Sequence, residues 1–372
     1  MTDAGRQPPR EVAVDALRAL ALLPVVVVNW VGYAALPDAG PLGAATPAES
    51  WLAQGWLIAI ATLLAGKGIT LLAFLFGYSQ GLSRRARGEQ AGIVRRRRMG
   101  RLLLLGLVHG LLVYAGDILT LYAACGLLML SWSRLRLRQL RRRFMVLLAV
   151  ELALTALASP WISDLARSKA AQTLSSLATP SGWLDWLALN SWGFLVNQMS
   201  MLLLGFLMPL GLMTAGLMAA RLRLFSHPRW RPVLRRCARR WLWPGLVLNL
   251  AWGLTLWHAL RAAEQDWADI VVYALNSMYV AMPLLFAVVP WLVLAAQRRA
   301  PAVERLALAG RQTLSLYIGS SLLSLALLSG AGLALPLGTA ALGMLAMLYW
   351  GLWVAFAPRW QGRLPLEAWL SR

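Results

Sequence analysis

The chain has 372 residues, 59% of them hydrophobic, with a mean hydropathy of +0.61 and a formal net charge of +21. Apolar usage above that of soluble domains, gathered in long runs, excludes an ordinary soluble enzyme and points to an all-α, polytopic membrane bundle. The placement of the charge excludes nucleic acid as a partner. Of 36 Lys and Arg, all but Arg18, Lys67, Arg167, Lys169 and Arg261 fall at the chain ends or in alternate connections between apolar runs, which is a topology pattern.

About ten spans are expected, in one membrane domain over 1–372 with both termini cytoplasmic. Span 1 covers about 12–34. A cleaved signal peptide is the competing reading of residues 1–36, because Arg6 and Arg10 precede the run, but Asp15 and Arg18 inside it favour a retained span. Span 2 covers about 56–82, and the glycines on either side of Lys67 predict a bend or break there. Spans 3 and 4, about 99–115 and 117–133, form a hairpin that turns at Tyr114-Ala115-Gly116-Asp117. Arg95, Arg96, Arg97, Arg98 and Arg101 bracket it at one end, and Arg134, Arg136 and Arg138 at the other. Span 5 is about 144–160. Residues 161–186 are expected outside, as a surface helix and a turn. Span 6 is about 192–220 and leads into the most basic loop, Arg221 to Arg240. Spans 7 to 10 are about 241–260, 270–296, 312–330 and 334–357. Trp51, Trp56, Trp241 and Trp243 near span ends fit interface anchors. Cys125 and Cys237 fall on different levels, so no disulfide is expected, and three histidines with two separated cysteines give no metal-ligand spacing.

Ionisable residues inside spans are expensive, and each is a candidate. At 1.5 Å per residue, Asp15 and Arg18 lie about 5–9 Å from the inner end and share a helix face, so they are expected to pair. By the same count His109 and Glu151 lie about 12–16 Å in, near the midplane, and Asn29, Lys67 and Asp117 about 24–27 Å in, near the outer boundary. Eight residues place His109 and Asp117 about 12 Å apart along one helix, so no His–Asp dyad is expected, and a partner for His109 must come from another span. Lys67 is instead expected to face Asp117, with Asn29 close by, since a buried ammonium needs a counter-charge.

Several stretches carry a family resemblance. VDALRALALLPVVVVN (14–29), AGKGITLLAFLFGYSQGLSRRAR (65–87), RRMGRLLLLGLVHGLLVYAGDILTLYAACGLL (97–128), GRQTLSLYIGSSLL (310–323) and LPLEAWL (364–370) together resemble, in order, the motifs of the YeiB-like bacterial membrane proteins, domain of unknown function 418. The departures are Ala19 for a usual Gly, Ser315-Leu316 for Thr-Asn and Ala368 for a Trp. The resemblance implies a multi-pass protein of the bacterial cytoplasmic (inner) membrane. The family is in turn distantly similar to membrane acyltransferases of the acyltransferase-3 type, in which a span-1 histidine is catalytic and an Arg-x-x-Arg motif helps bind the donor. Arg98-Met99-Gly100-Arg101 keeps the second feature, and Asn29 stands where the histidine would be.

Three functions follow as expectations. The first is a membrane-embedded group transferase: Arg98 and Arg101 hold the phosphates of a cytoplasmic acyl-CoA, His109 is the general base with its tautomer set by Glu151 or another carboxylate, and an acceptor enters near Asn29, Lys67 and Asp117. The second is a transporter of a small solute or lipid using the same buried charges. The third is a non-catalytic, lipid-binding membrane protein. The expected partners are membrane lipids and a small-molecule or lipid-linked substrate. No cofactor is expected beyond acyl-CoA as a possible donor.

Overall fold

In the computed structural model the described residues are 11–34, 50–87, 91–132, 134–166, 183–261, 267–329, 331–335, 337–360 and 362–371; among them regular structure is helical, with no strand. Helix α1 (Val12–Ala34) runs through the middle of the bundle. Ala16, Leu17, Ala19, Val26 and Val27 on it are fully buried, as expected of a helix that is apolar all round.

The apolar run 56–82 is two helices. Helix α2 (Trp51–Leu63) ends, Leu64-Ala65-Gly66 turn, and α3 (Lys67–Arg87) begins. Gly66 has φ +74° with the Ser277 carbonyl where a Cβ would stand, so both conformation and space require glycine. Helices α4 (Ala91–Leu112) and α5 (Leu119–Trp132) make the hairpin, and α6 (Leu137–Ala166) follows.

The expected single span over 192–220 is divided. Helix α7 (Trp183–Ser200) passes through a π turn (Met201–Gly205) into α8 (Leu207–Arg221). Helix α8 packs on α3 backbone to backbone, with Gly77 facing the Met213 carbonyl and Gly216 facing the Phe74 carbonyl. Small residues at both contacts let two apolar helices approach closely where no hydrophobic force drives them together. Then come α9 (Arg231–Arg240) within the basic loop, α10 (Leu242–Arg261), α11 (Trp267–Gln297), α12 (Pro301–Ala309), α13 (Thr313–Leu328), α14 (Thr339–Phe356) and α15 (Pro365–Ser371). Of the expected outer segment, 161–166 continues α6, 183–186 opens α7, and 167–182, with Arg167 and Lys169, lies outside the described residues.

Four stretches, Val12–Val31, Ala53–Ser83, Ser277–Gln297 and Thr339–Arg359, are long and apolar enough by length and composition to cross a membrane. Large apolar side chains stand on the outside of the bundle while several ionisable ones lie within it. Leu157, Leu184 and Trp243 are 72%, 73% and 69% exposed, whereas Asp15, Lys67, His109, Asp117 and Glu151 are each at most 7% exposed. Apolar groups outside and ionisable groups inside are what a lipid solvent selects.

Candidate functional site

Helix α4 stops where its sequence turns to Tyr114-Ala115-Gly116. The last turn closes with Val113 and Tyr114 N–H both donating to the His109 carbonyl at 2.9 Å. The chain then folds back and sets the Asp117 carboxylate against the His109 ring, with Oδ1 2.8 Å from Nδ1 and side-chain exposures of 0% and 1%. The expectation that excluded a His109–Asp117 dyad is therefore overturned. It assumed one continuous helix, and the helix ends before the aspartate. The other oxygen, Oδ2, accepts from Thr120 N–H at 2.8 Å and Thr120 Oγ1 at 2.9 Å, an N-cap for α5.

An ionised carboxylate only accepts, so Nδ1 carries a ring proton; when the ring is neutral, Nε2 keeps its lone pair. That Nε2 is buried with no hydrogen-bond partner. The Tyr317 ring of α13 lies 5.1 Å from the histidine ring, centroid to centroid, and its hydroxyl is also buried and unpartnered. Tyr114 lies 6.5 Å away.

Helix α7 secures the turn. Asn190 Nδ2 donates to the Gly110 and Leu111 carbonyls at 2.9 and 2.8 Å, and Ser191 Oγ to Leu111 at 3.0 Å. Asn197 Nδ2 donates to the Ala115 carbonyl at 3.2 Å, and Gln198 Nε2 to that of Asp117 at 3.0 Å. These side chains satisfy the carbonyls that the end of a helix leaves orphaned, which hydrocarbon would not do. Sequence reasoning missed them and Tyr317. Their signal was a polar pair repeated seven residues on, along one face of an otherwise apolar helix.

The other candidates separate. The expected Lys67–Asp117 ion pair is not formed: the Asp117 oxygens bond to His109 and Thr120. Lys67 Nζ instead donates to the Ala61 carbonyl at 3.2 Å and lies 5.7 Å from the centre of the Trp252 ring, tying the end of α2 to the start of α3. Glu151 does not set the histidine tautomer, since Asp117 takes that place; its carboxyl sits beside the Tyr279 hydroxyl of α11. Asn29 is half-buried near the end of α1 and bonds to neither member of the dyad.

At the opposite ends of these helices, Arg18 pairs with Asp15 at 3.1 Å and also donates to Ser79 Oγ. Arg101 Nη1 donates to the Trp369 carbonyl at 2.9 Å, and its guanidinium lies over that ring. Arg98 is exposed. The C-terminal segment is bound here as well. Glu367 accepts from Ser315 N–H at 2.8 Å and Ser315 Oγ at 2.6 Å, capping α13.

The family model "Protein of unknown function (DUF418)" matches residues 219–368. The chain is also 35% identical over 134 residues to "Uncharacterized protein YeiB" of Escherichia coli (strain K12), covering 34% of this chain and 31% of that protein. It is 31% identical over 126 residues to "Uncharacterized 39.9 kDa protein in amylase 3'region" of Bacillus acidopullulyticus, covering 33% of this chain and 34% of that one. The matches thus span about a third of the length of each relative. No solved structure matches. The matched segment contributes Tyr317, Ser315 and Glu367, while His109 and Asp117 precede it, so the candidate site joins that segment to the helices before it.

Proposed function

We propose that this is a ten-span protein of the bacterial inner membrane, both termini cytoplasmic, that transfers an acyl group from a cytoplasmic acyl-CoA to a hydroxyl acceptor entering from the outer face. One observation carries the reading: His109 is held at Nδ1 by a buried carboxylate while its Nε2 is buried and unpartnered. That is the arrangement of a general base whose tautomer is fixed by an acid. In the reaction, Nε2 takes the proton of the acceptor hydroxyl as its oxygen attacks the thioester carbonyl. The C–O bond forms, the C–S bond breaks, and the proton passes to the departing thiolate. Asp117 steadies the imidazolium between these steps, and the Tyr317 hydroxyl, whose ring packs against that of His109, serves as donor to the oxyanion. Arg98 and Arg101 are retained as donor-phosphate residues in this proposal, with Arg101 having to exchange its Trp369 contact for the phosphate.

The experiment is thiol release from acetyl-CoA by the purified protein in the presence of extracted lipids and lipid-linked sugars. The parent should release thiol, and His109→Ala and Asp117→Asn should lose on the order of 10²–10⁴-fold. No release by the parent sinks the proposal.

A transporter is the second reading, favoured by the break before Lys67, since interrupted helices with buried charge mark solute sites in transporters. Solute uptake abolished by Lys67→Met, with no thiol release by the parent, would establish it instead.

A further inference from the structure

Helix α14 ends in a tight turn, Ala357–Arg359, and the chain doubles back along the start of α13. Gln312, 3% exposed, is the rivet: its Nε2 donates to the Gly362 carbonyl at 2.8 Å and its Oε1 accepts from Leu364 N–H at 3.1 Å. Glu367 on Ser315 and Arg101 on Trp369 hold the rest. The doubling back leaves a hollow of about 350 Å³, lined among others by Leu308, Arg311, Gln312, Trp360 and Arg363. Across the tight turn, Arg305, Pro358 and Arg359 line a second hollow of about 630 Å³.

Four arginines thus ring two adjacent hollows. Among the described residues none of the four has a carboxylate partner. Like charges left together without an acid repel one another and create a positive potential that attracts an anion. A guanidinium offers a planar fork of donors that matches carboxylate and phosphate oxygens alike, and the three oxygens of a phosphate ester can take forks from two arginines at once. Leu308 and Trp360 add apolar wall, so the ligand carries carbon beside its charge.

We infer that the hollow between Arg311 and Arg363 binds a phosphate ester, whether an anionic phospholipid head group or a soluble phosphate. The site does not rest on the acyl-transfer reading, because Arg98, Arg101 and the dyad do not line the hollow, and Arg101 touches the segment only at Trp369.

The test is thermal unfolding of the full chain in nanodiscs. One arm compares phosphatidylcholine alone with phosphatidylcholine plus phosphatidylglycerol. The other titrates inorganic phosphate against chloride at constant ionic strength in phosphatidylcholine alone. The parent should be stabilised in the first arm if the source is lipid, and in the second if it is soluble. Arg311→Gln with Arg363→Gln should lower the apparent affinity by about tenfold or more. Arg235→Gln with Arg239→Gln on α9, exposed and equally basic, should leave the response unchanged. Arg311→Lys with Arg363→Lys keeps the charge and removes the forks, and should give an intermediate loss, which keeps the inference testable if the Gln variant folds poorly. No response in either arm, or an equal response in parent and Arg311/Arg363 variants, overturns it.

Discussion

Two carboxylates, one at each end of the bundle, make nearly the same anchor. Asp117 caps α5 through the N–H and hydroxyl of Thr120, and Glu367 caps α13 through the N–H and hydroxyl of Ser315. They differ in what is left over. Asp117 makes both capping bonds with one oxygen and holds His109 with the other. Glu367 spends one oxygen on each bond, and its work is to fasten the chain end to a helix far from it in sequence. The same acid at the same kind of helix start is therefore a structural clasp in one place and the orienting half of a dyad in the other. Capping geometry alone does not distinguish the two. The second oxygen does.

The largest effect should come from Asp117→Ala, which removes the cap and leaves a buried histidine without its partner, a loss of about 3–5 kcal/mol. Thermal unfolding in detergent measures it, and a change below about 1 kcal/mol, the range of an exposed pair, would put the two carboxylates on a par. Glu367→Ala should lose only about 0.5–2 kcal/mol, as a cap does. It should also expose the C-terminal segment to limited proteolysis while thiol release from acetyl-CoA persists; loss of release would mean the two ends are coupled. Thr120→Val should lose about 0.5–1.5 kcal/mol, the range of one hydrogen bond, and keep the histidine in place. The smallest effect concerns Lys67. A double-mutant cycle of Lys67→Met with Asp117→Asn should show a coupling within about 0.5 kcal/mol, and one of His109→Gln with Asp117→Asn a coupling of about 0.5–3 kcal/mol. A strong Lys67–Asp117 coupling would restore the pairing expected from depth.

The helical class and the break at Gly66 were legible because each has a local cause, an apolar run in one case and glycines around a charge in the other. The Asp15–Arg18 pair was legible because three residues on one helix fix its geometry. The dyad was not. Depth along a helix misled once the helix stopped at Leu112. The Asp-x-x-Thr spacing of 117–120 did carry a capping signal, and a cap there would have ended α4 early enough to bring Asp117 back to His109. Tyr317 was illegible for a different reason, since it reaches His109 from a helix some two hundred residues later and only tertiary packing unites them. Glu367 lay within a motif that was recognised, but Ser315 as its partner appears only when the chain end folds back.

The central claim is that Asp117 fixes His109 with its proton on Nδ1 and a free lone pair on Nε2. Nitrogen-15 solid-state NMR of histidine-labelled protein in lipid tests it most directly, because the chain has only three histidines and His109→Gln assigns the signal. The arrangement requires a neutral His109 ring with Nδ1 protonated and Nε2 bare, reverting to the commoner Nε2-protonated form in Asp117→Ala. A His109 ring protonated at Nε2 in the parent, or unchanged by Asp117→Ala, would contradict it.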